Sequence, residues 1–139
     1  MKKKTLKFQP EYDFKLLGAV SSSSDIRFVR EIKLITGLEM IRNGYHEIYN
    51  EKSPDSQKFF LYECPENDEI VSIYVVGNKS EAGFLIEELR NIDFFVVIKG
   101  TDRMDFASEL MKNLKSNPVV QALFDIDPEK LASKQKLLM

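Results

Sequence analysis

A chain of 139 residues with 20 basic and 22 acidic side chains, a formal net charge of −2 and 43% apolar residues is sized for one domain with a core of its own. Ten Phe and five Tyr separate it from disordered chains, and the near balance of charge offers no global field to a polyanion or an acidic membrane. The basic opening MKKKTLKF is followed by no apolar leader, no apolar run nears the ~20 residues of a spanning helix, and the single Cys64 excludes an intramolecular disulfide and a thiolate metal cage. The expectation is a soluble, cytoplasmic protein with no cofactor and no membrane partner.

Taken in chain order, residues 13–20 (DFKLLGAV) read as a buried strand, followed by the polar junction 21–24 in which Ser24 is placed to cap a helix. Over residues 25–36, Phe28, Val29, Ile32 and Ile35 recur on one face of a helix, and Gly37 is suited to end it. Residues 38–41 read as a short strand, and Asn43-Gly44 as the turn that closes a hairpin onto residues 46–49. Residues 51–57 form a polar loop. Residues 58–63 (KFFLYE) and 69–76 (EIVSIYVV) are strands joined across 64–68, and residues 77–83 are a second polar loop.

Leu85, Leu89 and Ile92 keep helical spacing in a short helix. Residues 93–99 (DFFVVIK) are apolar on both faces, the mark of a central strand. Gly100-Thr101-Asp102 breaks that strand and caps a helix running through Lys115, with Met104, Ala107, Met111 and Leu114 on one stripe, and Asn117-Pro118 stops it. Residues 119–126 are a final strand and residues 127–131 a short helical turn. This order implies a single α+β domain over residues 1–139. Its fold is a two-layer sandwich of a mixed, largely antiparallel sheet with helices on one face, ferredoxin-like in spirit, with β-α-β units at both ends of the chain. Residues 1–10 and 132–139 are expected as flexible basic tails.

The stretch Ile86-Glu87-Glu88-Leu89-Arg90-Asn91-Ile92-Asp93-Phe94 resembles the signature of the bacterial IPExxxVDY family. Ile86, Glu88 and Asp93 match it, Ile92 and Phe94 replace its Val and Tyr conservatively, and Glu87 stands where the family has Pro. Tyr12-Asp13-Phe14, Leu17-Gly18, Asn78-Lys79, residues 95–100 and Asp127-Pro128-Glu129-Lys130-Leu131 are also similar, so the resemblance spans nearly the whole chain. It implies a small intracellular protein of unassigned function. Glu88, Asp93 and Phe94 then carry two readings: acidic groups bracing a helix-to-strand turn, or a partner-recognition set.

The remaining chemistry is sparse. His46, the sole histidine, needs a nucleophile and an orienting carboxylate brought in by folding before it can act as a base, and a solvated turn residue is the simpler role. Cys64 lies among acidic neighbours, which disfavour a reactive thiolate. The junction 21–24 carries Asp25 where a phosphate would sit. Lys99, Thr101 and Arg103 form a better-supplied candidate for a small anion at the carboxyl end of the central strand, although N-capping by Thr101 or Asp102 explains the same residues. Basic groups at Lys2–Lys4, Lys7, Lys130, Lys134 and Lys136 leave RNA contact open. The reading is a non-enzymatic interaction or regulatory domain that binds a protein partner or self-associates, with Tyr45, Tyr49 and Tyr62 as candidate anchors. The alternative is an anion-sensing or RNA-associated accessory protein.

Overall fold

Strand β1 (Lys15–Val20) leads into helix α1 (Asp25–Thr36) as the spacing predicts. The computed structural model describes residues 13–49, 56–64, 71–81 and 83–139. Ser24 caps α1 by accepting the Arg27 N–H on its Oγ at 3.2 Å, which satisfies one of the donors left over at a helix start. At the other end Gly37 adopts φ 75°, a turn that side chains disfavour, and donates its N–H to the Lys33 carbonyl at 2.8 Å. Phe28, Val29 and Ile32 are the buried face.

Residues 38–49 depart from expectation. No hairpin closes at Asn43-Gly44; one strand, β2 (Ile41–Ile48), runs straight through it. Against β3 (Gln57–Glu63) the register steps from Arg42↔Tyr62 to Tyr45↔Phe60, so β2 carries one extra residue. Gly44, at φ 59°, absorbs it as a bulge. Asn-Gly marks a site of positive φ in either case, and pairing with a distant strand decided between turn and bulge.

Strand β4 (Ser72–Gly77) follows, and the expected loop 77–83 contains a small ladder of β5 (Lys79–Ser80) and β6 (Gly83–Phe84). The predicted short helix is a single 3-10 turn, Glu87–Leu89. Strand β7 (Phe94–Lys99), helix α2 (Arg103–Lys115) and strand β8 (Ala122–Ile126) complete the framework. In α2 the buried stripe is Ala107, Leu110 and Leu114, while Met104 is 57% exposed, so the inward face is rotated from the predicted one. Asp102 occupies the N-cap position without a side-chain capping bond. Residues 51–55 and 65–68 of the expected loops lie outside the described residues.

The strands form one six-stranded sheet in the order β2-β3-β4-β7-β1-β8, and every ladder in it is antiparallel. The sheet expected as mixed is therefore antiparallel throughout. Both β-α-β crossovers step over intervening strands: α1 carries the chain from β1 to the far edge at β2, and α2 carries it from β7 across β1 to β8. Strands of like direction are thereby never neighbours, the split β-α-β arrangement.

Both helices cover one face. Phe28, Val29 and Ile32 of α1 and Ala107, Leu110 and Leu114 of α2 pack on Leu17, Ala19, Ile73, Val75, Phe94, Val96 and Ile98. The stack of Phe28 on Phe94, with centroids 4.5 Å apart and planes 15° off parallel, joins helix to sheet there. Such a pair adds about 0.5–1.5 kcal/mol beyond its buried area. The opposite face (Leu16, Phe59, Leu61, Val76, Phe95 and Val97) is buried too, beneath Leu85, Ile86 and Ile92 and the C-terminal residues Leu131 and Leu137. Residues 132–139 are thus no free tail. Lys134–Leu137 is a 3-10 turn whose Leu137 is fully buried, because β7 is apolar on both sides and its second side needs a cover. Residues 1–10, the other expected tail, lie outside the described residues.

Candidate functional site

The signature segment is held from three sides. Asn78, fully buried, donates its Nδ2 to the carbonyls of Leu89 (2.8 Å) and Ile92 (2.9 Å) and accepts the Ile86 N–H on Oδ1 at 2.8 Å. Its main chain adds bonds to Asp93 O and from Leu85 N. Asp93 accepts the Ser21 N–H on Oδ2 at 2.8 Å and pairs through Oδ1 with Lys79 Nζ at 2.7 Å. Glu88 receives the Ser133 N–H and Oγ on its two oxygens at 2.9 and 3.0 Å, fastening the C-terminal segment. Burial by itself would raise the Glu88 pKa. The bonds from Ser133 and the main-chain N–H groups of Glu88 and Ala132 outweigh it and hold the carboxyl below its ordinary value. Phe94 is 6% exposed and belongs to the core. Each of these groups is engaged within the fold, and Asn78, their hub, is a residue whose role the sequence left unread.

Lys99, Thr101 and Arg103 do meet. They line a cleft of about 340 Å³ with Asp13 on its rim. Lys99 Nζ already donates to the main-chain oxygen of Met139 at 2.9 Å, and Arg103 Nη1 to the Gly100 carbonyl at 2.9 Å. His46 lies on β2 rather than in a turn, with Nε2 2.6 Å from the Lys136 carbonyl; facing an oxygen that can only accept, that nitrogen is the protonated one. Cys64 is half-buried against the helix-side core. Among the described residues no group of three or more His, Cys, Asp and Glu is placed to hold a metal ion, and no helix is long and apolar enough to cross a membrane.

The three tyrosines do not form one patch. Tyr62 is 8% exposed and donates its hydroxyl to Asp25 Oδ2 at 2.9 Å; burial, then that carboxylate, push its pKa up. Tyr45 and Tyr49 are exposed on the β2 side. Arg42 lies 4.8 Å from the Tyr45 ring centroid and 5.5 Å from that of Tyr62, beside a cleft of about 560 Å³. Arg42, Lys58 and Lys79 share that cleft with Asp25 and Glu81, three cations to two carboxylates.

The opposite edge of the sheet is different in kind. Among the described residues, strand β8 pairs with β1 alone. Its five residues, ALFDI, include no Lys, Pro or bulge, and its one charge, Asp125, is paired with Lys15 of β1 at 2.9 Å. Beside it, on the face away from the helices, runs a groove of about 350 Å³ walled by Leu89, Ile92, Phe124, Ile126 and Leu131. Gly18 lets two of these walls, Ile126 and Ile92, close down on β1. A Cβ there would stand 2.7 Å from Ile126 Cδ1 and 3.1 Å from Ile92 Cδ1. Phe124, opposite Gly18 in the ladder, is 43% exposed at the groove's edge. The sequence announces β8 as a strand. Its edge position depends on strand order, which no local pattern displays.

Comparison with known protein families finds no family model that matches the chain, and comparison with curated proteins finds no match either.

Proposed function

We propose that this chain is a cytoplasmic, non-enzymatic interaction or regulatory domain that takes a strand of a protein partner onto β8. The observation that carries the reading is that β8, among the described residues, stands at the sheet edge with Phe124 exposed and an apolar groove alongside it. Strand addition draws affinity from main-chain hydrogen bonds along the edge and specificity from a side chain entering a neighbouring pocket, and β8 offers both. The other edge, β2, is bulged at Gly44 and carries Arg42, His46 and Glu47, features that discourage pairing. The resemblance to the IPExxxVDY signature is compatible with this reading. Glu87, in place of the family's Pro, is exposed in the first turn of its 3-10 helix and paired with Arg90 at 2.8 Å.

The test is affinity purification of the tagged protein from its native cells, run beside Phe124→Asp, whose fold is checked by circular dichroism. A stoichiometric protein lost in the folded variant supports the edge. Equal recovery with both proteins removes β8 from the proposal. A second reading, the anion-sensing or RNA-associated accessory protein, draws on the cleft shared by Lys99, Thr101 and Arg103. Retention of RNA that falls steeply with salt and is abolished by Arg103→Glu would put it first.

A further inference from the structure

We infer that the strand received by β8 is the β8 of a second copy of this chain, related by a two-fold axis perpendicular to the sheet. The inference rests on the edge reading above and names its occupant. Phe124 is the middle residue of β8. In an antiparallel pairing centred there, Phe124 meets its counterpart, Ala122 meets Ile126 and Leu123 meets Asp125. No charged residue of the strand faces its like. A perpendicular two-fold axis keeps each face of the sheet on its own side, so both Phe124 rings lie over the groove face. There they stand as a direct cross-strand aromatic pair and join two half-open grooves into one apolar trough.

Charge fits the same arrangement. Helix α2 returns over β1 and β8 from β7, which puts its C-terminal turn, with Lys112 and Lys115, at the beginning of β8. Asp125, Asp127 and Glu129 lie at the other end of the strand, all exposed; Asp125 is paired with Lys15 at 2.9 Å and Glu129 with Lys134 at 3.0 Å, which leaves Asp127 as the carboxylate with no ion pair there among the described residues. Antiparallel self-pairing sets Asp127 of each copy beside the basic helix end of the other, and symmetry makes that match twice. A parallel pairing would set like ends together. The six-stranded sheet then continues across the axis, and two open edges disappear at once.

The experiment uses the full chain. Sedimentation velocity should give a species of twice the 16.1 kDa chain mass that dissociates on dilution, and Phe124→Asp should weaken the association by roughly 100-fold while leaving the circular dichroism unchanged. In a Cys64→Ser background, Phe124→Cys should form an intermolecular disulfide under copper–phenanthroline oxidation, because the two positions face each other across the axis. Ala122→Cys, which faces Ile126, should not. Cross-linking of both variants alike, or a dimer indifferent to Phe124→Asp, overturns the register. A monomer at millimolar concentration overturns the self-pairing. If that monomer still retains a protein partner that Phe124→Asp releases, strand addition stands with another occupant; if it retains none, both readings fall.

Discussion

Replacing Asn78 with Ala removes three hydrogen bonds from a site that water does not reach. The consequences for the three partners are unequal. Leu89 O still accepts the Ile92 N–H at 3.1 Å, so it keeps a partner. Ile86 N–H and Ile92 O lose the bonds that Asn78 made to them. At about 1–3 kcal/mol for each buried polar group left unpaired, the variant should lose about 2–6 kcal/mol. That is a large share of the roughly 5–15 kcal/mol that holds a typical domain together. Urea denaturation followed by far-UV circular dichroism should show a lower midpoint at unchanged slope, since the surface exposed on unfolding is the same. Native-state hydrogen exchange should show the Ile86 amide unprotected while β7 amides remain slow. A loss under about 1 kcal/mol, with Ile86 still protected, would refute the assignment of Asn78 as the hub of this segment.

Two further outcomes follow from geometry. Because the Glu88 carboxyl titrates below its ordinary value, it contributes stability at pH above the usual ~4.3 that is lost as pH falls through that value toward its folded-state pKa. Glu88→Gln should flatten the acid limb of the stability curve, measured by thermal melts from pH 3 to 7 (~0.5 steps); an acid limb identical to the parent's would exclude this carboxyl as a contributor. Gly77→Ala would place a Cβ 2.5 Å from Phe60 Cε2 and 3.0 Å from Cζ, forcing the ring to move. The expected cost is about 1–3 kcal/mol, read by the same urea titration, and an unchanged midpoint would show that the ring yields freely.

What was legible in the sequence was what neighbours in the chain decide. Helix α1 came with its cap, its apolar face and its terminating Gly37 because all three act within one or two turns. Strand β7 declared itself central by being apolar on both sides. The bulge at Gly44 was not legible, since only the ladder with β3 distinguishes it from a turn. The C-terminal residues looked like a solvated basic tail because Lys134 and Lys136 dominate their composition, whereas Leu137 decides their place. Among the candidate site residues, Glu88 and Asp93 were recognisable as bracing groups, but what they brace lies 45 and 72 positions away, at Ser133 and Ser21. Lys99, Thr101 and Arg103 were near one another in sequence and remain so in space. The β8 groove was invisible because it joins residues from the signature segment, the last strand and the turn after it.

The position of β1 has a consequence for how the molecule is made. It is the first described strand in the chain, yet its neighbours are β7 and β8: Leu17 is matched with Val96 and Asp125. During synthesis from the N-terminus, β1 therefore emerges without either partner, and α1 emerges before the Phe94 ring on which Phe28 stacks. The hairpin ladders β2–β3 and β3–β4 complete themselves early, while the middle of the sheet stays vacant until β7 (Phe94–Lys99) has emerged, and β1 gains its second neighbour only with β8. Folding should accordingly be slow for a protein of this size, with its apolar first strand in need of shelter on the ribosome. Truncations within β8 should leave the nascent chain prone to aggregation rather than merely less stable.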